Sequence, residues 1–245
     1  MIRFEHTDVV GWEHAIRGMR NPMNSWDKSD SKYGCKNSFG DTKYCDEEPF
    51  CPNWYECYGA HAALIIGKND HDLMKRLVNA GSDHRKFMRM IVVYVDITAP
   101  LYWWKEFDTY KVGTVANSCS TMHKIHDKEF KLDDFSYEQL IGSNAKTDEV
   151  VFWNMDCFTP MDLLELTVDV LNRYRKLYNQ TGDKRYWEQM IHLLPTNYEQ
   201  KRTVMLNYEA LRNMYHARKA HKLDEWREGF CKWVEGLPYS ELITK

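Results

Sequence analysis

No stretch of the 245 residues is apolar over the ~20 positions that a membrane-spanning helix needs, which excludes a chain built around a bilayer span. The opening MIRFEHTDVVGWEH lacks both the basic n-region and the apolar h-region of a signal peptide, so the expected location is the cytoplasm. Charge of one sign is scarce as well. The 33 Lys and Arg face 36 Asp and Glu, without the basic excess that binding to a phosphate backbone uses, and nucleic acid is not an expected partner. Close cysteine pairs are missing too. Cys35, Cys45, Cys51 and Cys57 stand ten, six and six residues apart, wider than the C-x2–4-C pairs of structural zinc sites, and the total of seven is odd for a disulfide framework. Reduced thiols and no bound metal are expected.

What is present divides into three blocks of one expected domain spanning 1–245, a length sufficient to bury a real core. Residues 20–59 are rich in Asn, Asp, Ser, Gly, Pro and aromatics and show no sustained period. They read as a long loop-rich insertion, either a surface excursion or an active-site lid. No internal repeat and no low-complexity tract interrupts the rest.

In the second block, HDLMKRLVNAG sets Leu73, Met74, Leu77 and Val78 on one helical stripe, with Gly81 where a helix C-terminus favours glycine. Ile91–Val95 is β-branched enough for a buried strand, closed by Pro100. The third block predicts a well-buried helix from Pro160 to Gly182, carrying Leu163, Leu164, Leu166, Val168, Val170, Leu171 and Tyr174. A second helical region is expected from Tyr198 to Trp233. One core strand with segregated helices gives an α+β class.

Two constellations carry chemistry. The first is TYKVGTVANSCSTMHK, Thr109–Lys124, with five Ser or Thr hydroxyls, an Asn, a Cys and a His beside two lysines. Small hydroxyl side chains and Gly113 let backbone approach a phosphate closely; the bland alternative is a polar loop. The second runs from Asn207 to Arg218. On one continuous helix these two would share a face about 16 Å apart along the axis. Leu211 and Met214 lie between them, so Arg218 would be partly buried and in need of an anionic or carbonyl partner. Asp224 or Glu225 would serve in a purely structural role.

The order of the two segments resembles the flavin-dependent thymidylate synthases, the ThyX-type enzymes, and the resemblance implies their fold, an antiparallel or mixed sheet flanked by long helices in a single domain. That family carries R-H-R-x-x-S-x-N-x-x-S-x-R, and later N-x-R-x-x-x-N followed by an Arg and a Trp. Asn207, Asn213, Arg218 and Trp226 fall at the later spacings, Leu194–Pro195 match a preceding Leu-Pro, and Asn117 and Ser120 keep part of the earlier signature. The resemblance implies that Asn207, Asn213 and Asn117 contact FAD. It also implies that Ser120, with Ser118 beside it, binds dUMP at its phosphate, and that Arg218 lies against the uracil edge as the catalytic cation. The implied reaction is reductive methylation of dUMP to dTMP, with methylenetetrahydrofolate giving the carbon and NADPH reducing the FAD. The implied assembly is a homotetramer whose sites draw on several subunits.

The chain departs from the signature at several positions. The R-H-R triplet falls on Tyr110, Lys111 and Val112, its first Ser on Val115 and its last Arg on Met122; the later Arg falls on Glu209, and a further one on Ile191, beside His192. Lys111 is expected to supply part of the missing charge at the cofactor and Tyr110 to stack on a ring, although a lysine does not reproduce a guanidinium fork. These changes leave open another flavin enzyme acting on a pyrimidine nucleotide, or a nucleotide-binding homologue without the chemistry. His123, His126 and Asp127 imitate a metal site but lack a further ligand at defined spacing. Cys119 receives no role, because the implied reaction needs no enzyme nucleophile.

Overall fold

The computed structural model describes residues 2–36, 42–44, 62–153 and 156–245. In chain order the elements are β1 (Arg3–Val10), α1 (Trp12–Arg20), β2 (Lys32–Lys36), β3 (Thr42–Tyr44), β4 (Ala62–Ile65), α2 (Lys68–Asn79) and β5 (Val92–Pro100). There follow α3 (Leu101–Phe107), β6 (Thr114–Ser118), α4 (Thr121–Lys124), β7 (Val151–Trp153), β8 (Asp156–Phe158), α5 (Pro160–Thr181) and α6 (Lys184–Leu193). The chain ends with β9 (Glu199–Asn207), α7 (Tyr208–Arg218), a π-helical stretch Glu225–Phe230, α8 (Cys231–Glu235) and α9 (Glu241–Thr244). Among the described residues the strands form a four-stranded sheet in the order β1-β5-β9-β6, a three-stranded sheet β3-β2-β4 and the hairpin β7-β8. The β2–β3, β2–β4 and β7–β8 pairs are antiparallel. The α+β expectation is met. No helix among the described residues is long and apolar enough to cross a membrane.

The chain groups into two compact units, each assembled from three separate stretches. The first holds Met1–Thr7, Tyr94–Met205 and Lys219–Trp233. Its strand β5 begins with the period of two that a pleated backbone imposes: Val95 and Ile97 are buried, while Tyr94 ahead of them is exposed and Asp96 between them is half-buried. Against the sheet residues stands an aromatic core. Trp103 stacks on Trp226 with ring centroids 4.5 Å apart and meets Trp104 edge-on at 4.9 Å, and Phe4 stacks on Trp233 at 4.7 Å. Helix α5 starts at a reciprocal cap in which Thr159 Oγ1 accepts from Asp162 N and Asp162 Oδ2 accepts from Thr159 N. Pro160 follows at the first helical position, and Gly182 ends the helix with φ +68°. Leu164, Val168 and Leu171 of this helix pack with Ile125, Phe130, Phe135 and Met190.

The second unit holds Asp8–Val93, Leu206–Arg218 and Val234–Lys245. Met74 and Val78 of α2 are buried as the sequence stripe requires. Trp12 meets Tyr208 and Tyr239 edge-on, each at 5.2 Å. Gly11 takes φ +92°, and a Cβ there would fall 2.1 Å from the Met90 carbonyl oxygen, so the turn before α1 admits no side chain. Asp70 is fully buried and takes Arg20 Nε at 2.6 Å, Ser29 Oγ at 2.7 Å and Ser31 Oγ at 2.6 Å. Burial opposes its ionisation, yet the hydrogen bonds from Ser31, Ser29 and Arg20 hold the carboxyl below its usual range.

Three expectations are corrected. The segment opening the region 198–233 is strand β9, not helix; its Glu-Gln-Lys-Arg run has helical propensity, but its pairing in the sheet overrides it. Helix α5 is not buried on all its apolar positions, since Leu163 and Leu166 are 60% and 51% exposed on the side away from the core. Within 20–59 the described residues carry two 3-10 turns and strands β2 and β3 in place of uninterrupted loop. The remainder of that expected insertion, with Cys45, Cys51 and Cys57, lies outside the described residues.

Candidate functional site

The polar stretch folds as strand β6, a corner at Cys119–Ser120, and the single turn α4. The corner is tied to β9 on both sides of the Cys119 peptide. Cys119 N donates to the Lys201 carbonyl at 2.9 Å, and Gln200 Nε2 donates to the Cys119 carbonyl at 3.0 Å. Gln200 is itself buried. Its Oε1 accepts from Arg202 Nε at 2.9 Å, which fixes the amide orientation, and its carbonyl accepts from Trp104 Nε1 at 2.9 Å. The Arg202 guanidinium lies over the Trp104 ring at 4.2 Å and reaches Asp108 at 2.7 Å. Ser120 then caps α4, its Oγ accepting from His123 N at 3.0 Å.

Ser120 opens onto a polar cavity of about 340 Å³ within the first unit. Thr121, Lys124, Lys128, Lys201 and Asp133 are among the residues that line it. The helical layer holds the segment that supplies most of them. Asn172 of α5 clamps both backbone groups of Phe130 at 2.9 Å, Asn179 Nδ2 donates to the His126 carbonyl at 3.2 Å, and Trp187 Nε1 donates to the Met122 carbonyl at 3.0 Å. Lys128 Nζ donates to Asp134 at 2.9 Å; that bond raises the pKa of Lys128 against a smaller opposing effect of burial, and the ammonium stays charged at neutral pH. Tyr198 at the cavity wall is pushed up by burial and by Asp134, so it stays a neutral phenol. Hydroxyls, ammoniums and a neutral phenol supply hydrogen-bond donors suited to an anionic ligand.

Of the other expected residues, Asn117 and Ser118 lie exposed on β6, and Lys111 is exposed ahead of it. Tyr110 is half-buried with its ring 6.4 Å from Trp226, edge-on, so an aromatic neighbour is already present there. In the second unit Asn207 ends β9 and caps α7, its Oδ1 accepting from Ala210 N at 2.9 Å. Its role as a helix residue is thereby corrected to that of a cap. Asn213 is exposed, and Arg218 in the last turn is half-buried, as the stripe of Leu211 and Met214 predicts. Glu209, where the family signature has an arginine, is buried and accepts from Arg85 Nε through both oxygens at 3.1 and 2.9 Å. Asp224 takes Arg227 at 2.5 Å, and Glu225 accepts from the Tyr102 hydroxyl. Among the described residues no group of three or more His, Cys, Asp or Glu is placed to hold a metal ion.

A flavin's ring edge and phosphates call for N–H donors. Asn207 keeps its Nδ2 once Oδ1 is engaged in the cap, Asn213 presents an exposed amide, and Arg218 contributes a half-buried guanidinium. That donor set fits the group. Sequence reading missed Arg3, Lys128, Gln200, Lys201 and Asp133. Only the His-Lys-rich run directly after the polar stretch was a local signal for any of them; Gln200 and Lys201 reach the corner through sheet pairing alone.

No protein-family model matches the chain, and no curated protein matches it in sequence. Among solved structures, the flavin-dependent thymidylate synthase ThyX from Helicobacter pylori, complexed with FAD and dUMP, aligns over 99% of this chain and 97% of its own, with a TM-score of 0.60 at 15% identity. A second ThyX structure from Helicobacter pylori with FAD and dUMP gives 0.60 at 16% identity, covering 99% and 95%. The UMP/dUMP methylase PolB from Streptomyces cacaoi, bound with 5-Br UMP, gives 0.55 at 12% identity, covering 100% and 94%. At these identities the likeness is one of architecture: the chain has the fold of the flavin-dependent thymidylate synthases.

Proposed function

We propose that the chain is a divergent flavin-dependent thymidylate synthase, converting dUMP to dTMP with methylenetetrahydrofolate as carbon donor and NADPH as reductant. The observation that carries this reading is the position of Ser120. The residue that the family resemblance sets at the substrate phosphate lines a polar cavity with three lysines. The full-length likeness to structures holding FAD and dUMP supports it.

When bound, FAD supplies the hydride that completes the methyl group. Asn207, Asn213 and Arg218 are the groups of this chain proposed to hold it or the substrate ring, with Asn117, Lys111 and Tyr110 as further cofactor contacts. Ser120 and Ser118 donate to the phosphate. The Arg218 guanidinium would favour the anionic form of uracil at N3 and raise the nucleophilicity of C5. Loss of the C5 proton, gain of a methylene group from methylenetetrahydrofolate, which leaves as tetrahydrofolate, and gain of one hydride from flavin that NADPH has reduced balance the conversion. The whole of 1–245 acts as one catalytic domain in this reading, and the cytoplasm is its proposed location. The apolar outer side of α5, with Leu163 and Leu166 exposed beside Phe158, supports self-association into the homotetramer that the resemblance implies.

A visible absorption spectrum tests the reading, taken on the purified protein before and after addition of FAD and then dUMP. Flavin bands that shift on adding dUMP, followed by dUMP-dependent tritium release from C5, are expected. The likeness to a UMP/dUMP methylase favours one second reading, a flavin enzyme acting on a different pyrimidine nucleotide. In that case the bands respond to UMP and tritium release from dUMP is missing. A protein that takes up no FAD is left as a nucleotide-binding homologue.

A further inference from the structure

An open cavity of about 860 Å³ lies within the second unit, and none of the residues assigned to flavin or substrate lines it. Part of its lining is one face of α2. Asn69, Asp72, Arg76 and Asn79 follow each other there at spacings of three and four, with Lys75 beside them. The lining continues with Arg20 at the end of α1 and Lys28 in the 3-10 turn Trp26–Lys28. Buried Arg20 braces these parts together. Its Nε donates to Asp70 of α2 at 2.6 Å, while Nη1 and Nη2 donate to the carbonyls of Ser25 and Lys28, each at 3.0 Å. Asp70 matches the Arg20 charge, so Arg20 sets the shape and leaves ligand contact to the other cations. Those cations are in excess. Lys75 holds Asp72 at 2.9 Å, a hydrogen bond that lowers the Asp72 pKa and keeps the carboxylate ionised. Lys28 and Arg76 hold no hydrogen bond or ion pair through their side chains among the described residues.

We propose that this cavity is a binding site for an oligophosphate, such as the phosphate chain of a nucleoside triphosphate, held by Lys28, Lys75 and Arg76. Arg76 can fork onto two phosphate oxygens, and the two lysines act as point charges on flexible stems. The Lys75–Asp72 pair is exposed and screened, so an incoming anion can recruit its ammonium at little cost. Asn69 and Asn79 add amide donors about 15 Å apart along the helix axis. A lining of that length, with cations between its amides, matches an anion that carries its charges in a row. One phosphate would reach only part of it. A carboxylate polyanion separates its charges by carbon atoms and brings fewer of them to the same three cations. The site uses none of the flavin or substrate residues and stands whether or not the chain takes up FAD.

The test is calorimetric titration of the full chain at low ionic strength with tripolyphosphate, inorganic phosphate and citrate. Tripolyphosphate is expected to bind at least about tenfold more tightly than either of the others, and to weaken as salt is added. Arg76→Ala and Lys28→Ala, both at exposed positions, are each expected to weaken it by about tenfold, whereas Lys201→Ala, in the cavity beside Ser120, leaves it unchanged. Equal binding of the three anions, no measurable binding of tripolyphosphate in the millimolar range, unaltered affinity in Arg76→Ala or Lys28→Ala, or loss of binding in Lys201→Ala would overturn the proposal. The flavin is read separately. FAD uptake is expected to be the same with and without saturating tripolyphosphate; competition would return the cavity to the flavin site and overturn the proposal. If tripolyphosphate binds through Arg76 and the chain takes up no FAD, the flavin reading fails and this site stands.

Discussion

Gln200 Nε2 donates to the carbonyl of Cys119, a residue 81 positions earlier, and through it the central strand β9 sets the corner that presents Ser120. Both ends of this amide are engaged, because Oε1 takes Arg202 at 2.9 Å. Gln200→Leu would leave the Cys119 carbonyl without its donor and Arg202 Nε without its acceptor, at a cost of about 1–3 kcal/mol. The expected outcome is a lower denaturation midpoint in urea together with weaker nucleotide binding. A variant with reduced stability but unaltered nucleotide affinity would show that Gln200 supports the sheet and not the corner.

Ser120 is both a cap and a proposed phosphate donor, and two substitutions separate the roles. Ser120→Ala loses both, the cap being worth about 1 kcal/mol. Ser120→Asp keeps an acceptor for His123 N and adds a charge that repels phosphate, so stability is expected to hold while dUMP binding disappears. Thermal unfolding and calorimetry on the same preparation check this; retained dUMP binding in Ser120→Asp would remove Ser120 from the phosphate site.

Arg218→Ala is expected to leave FAD bound and to lower dUMP turnover by at least about two orders of magnitude, as loss of an electrostatic contact to the transition state does. The comparison of flavin absorbance with tritium release reads the two effects apart. Turnover close to that of the unaltered chain would sink the assignment of Arg218 as the catalytic cation.

The buried Arg20–Asp70 pair gives stability a defined acid limb. Hydrogen bonds hold the Asp70 carboxyl below its ordinary value in the folded state, so its contribution is present above the unfolded pKa of about 3.9 and is lost as pH falls through the lower folded value. Asp70→Asn strands the Arg20 charge at a cost of about 3–5 kcal/mol. Urea midpoints followed below neutral pH should fall less steeply for the variant; parallel curves would mean that Asp70 does not set the acid limb.

Leu163 and Leu166 bring apolar surface to solvent on α5 where the opposite side of the helix is packed. With both changed to Glu, light scattering behind a sizing column is expected to report a smaller species than the unaltered chain gives. An unchanged mass would place any self-association elsewhere.

Some features were readable along the chain because their causes are local. The Pro160 start and Gly182 stop of α5 follow from backbone restriction, and the buried stripe of Met74 and Val78 follows from the 3.6-residue period. The hydroxyl-rich run around Ser120 announced a polar surface by composition, and the spacing of Asn207, Asn213 and Arg218 suggested the fold now seen. Strand β9 was not readable. Glu199, Gln200, Lys201 and Arg202 are strong helix formers taken singly, and only the neighbours β5 and β6 make an extended backbone the better state for them.

By itself the sequence determined which segments could be helical, where the polar stretch begins and ends, and that the chain's charges nearly balance. The tertiary structure decided which of those charges meet. Lys201 and Gln200 reach Ser120 through strand pairing, Lys124 and Lys128 through a segment clamped to α5, and Asp133 through the same clamp. Hydrogen bonds between distant strands and the packing of one helix carry no periodic mark in the chain, so a site built from them becomes visible only once the backbone has closed on itself.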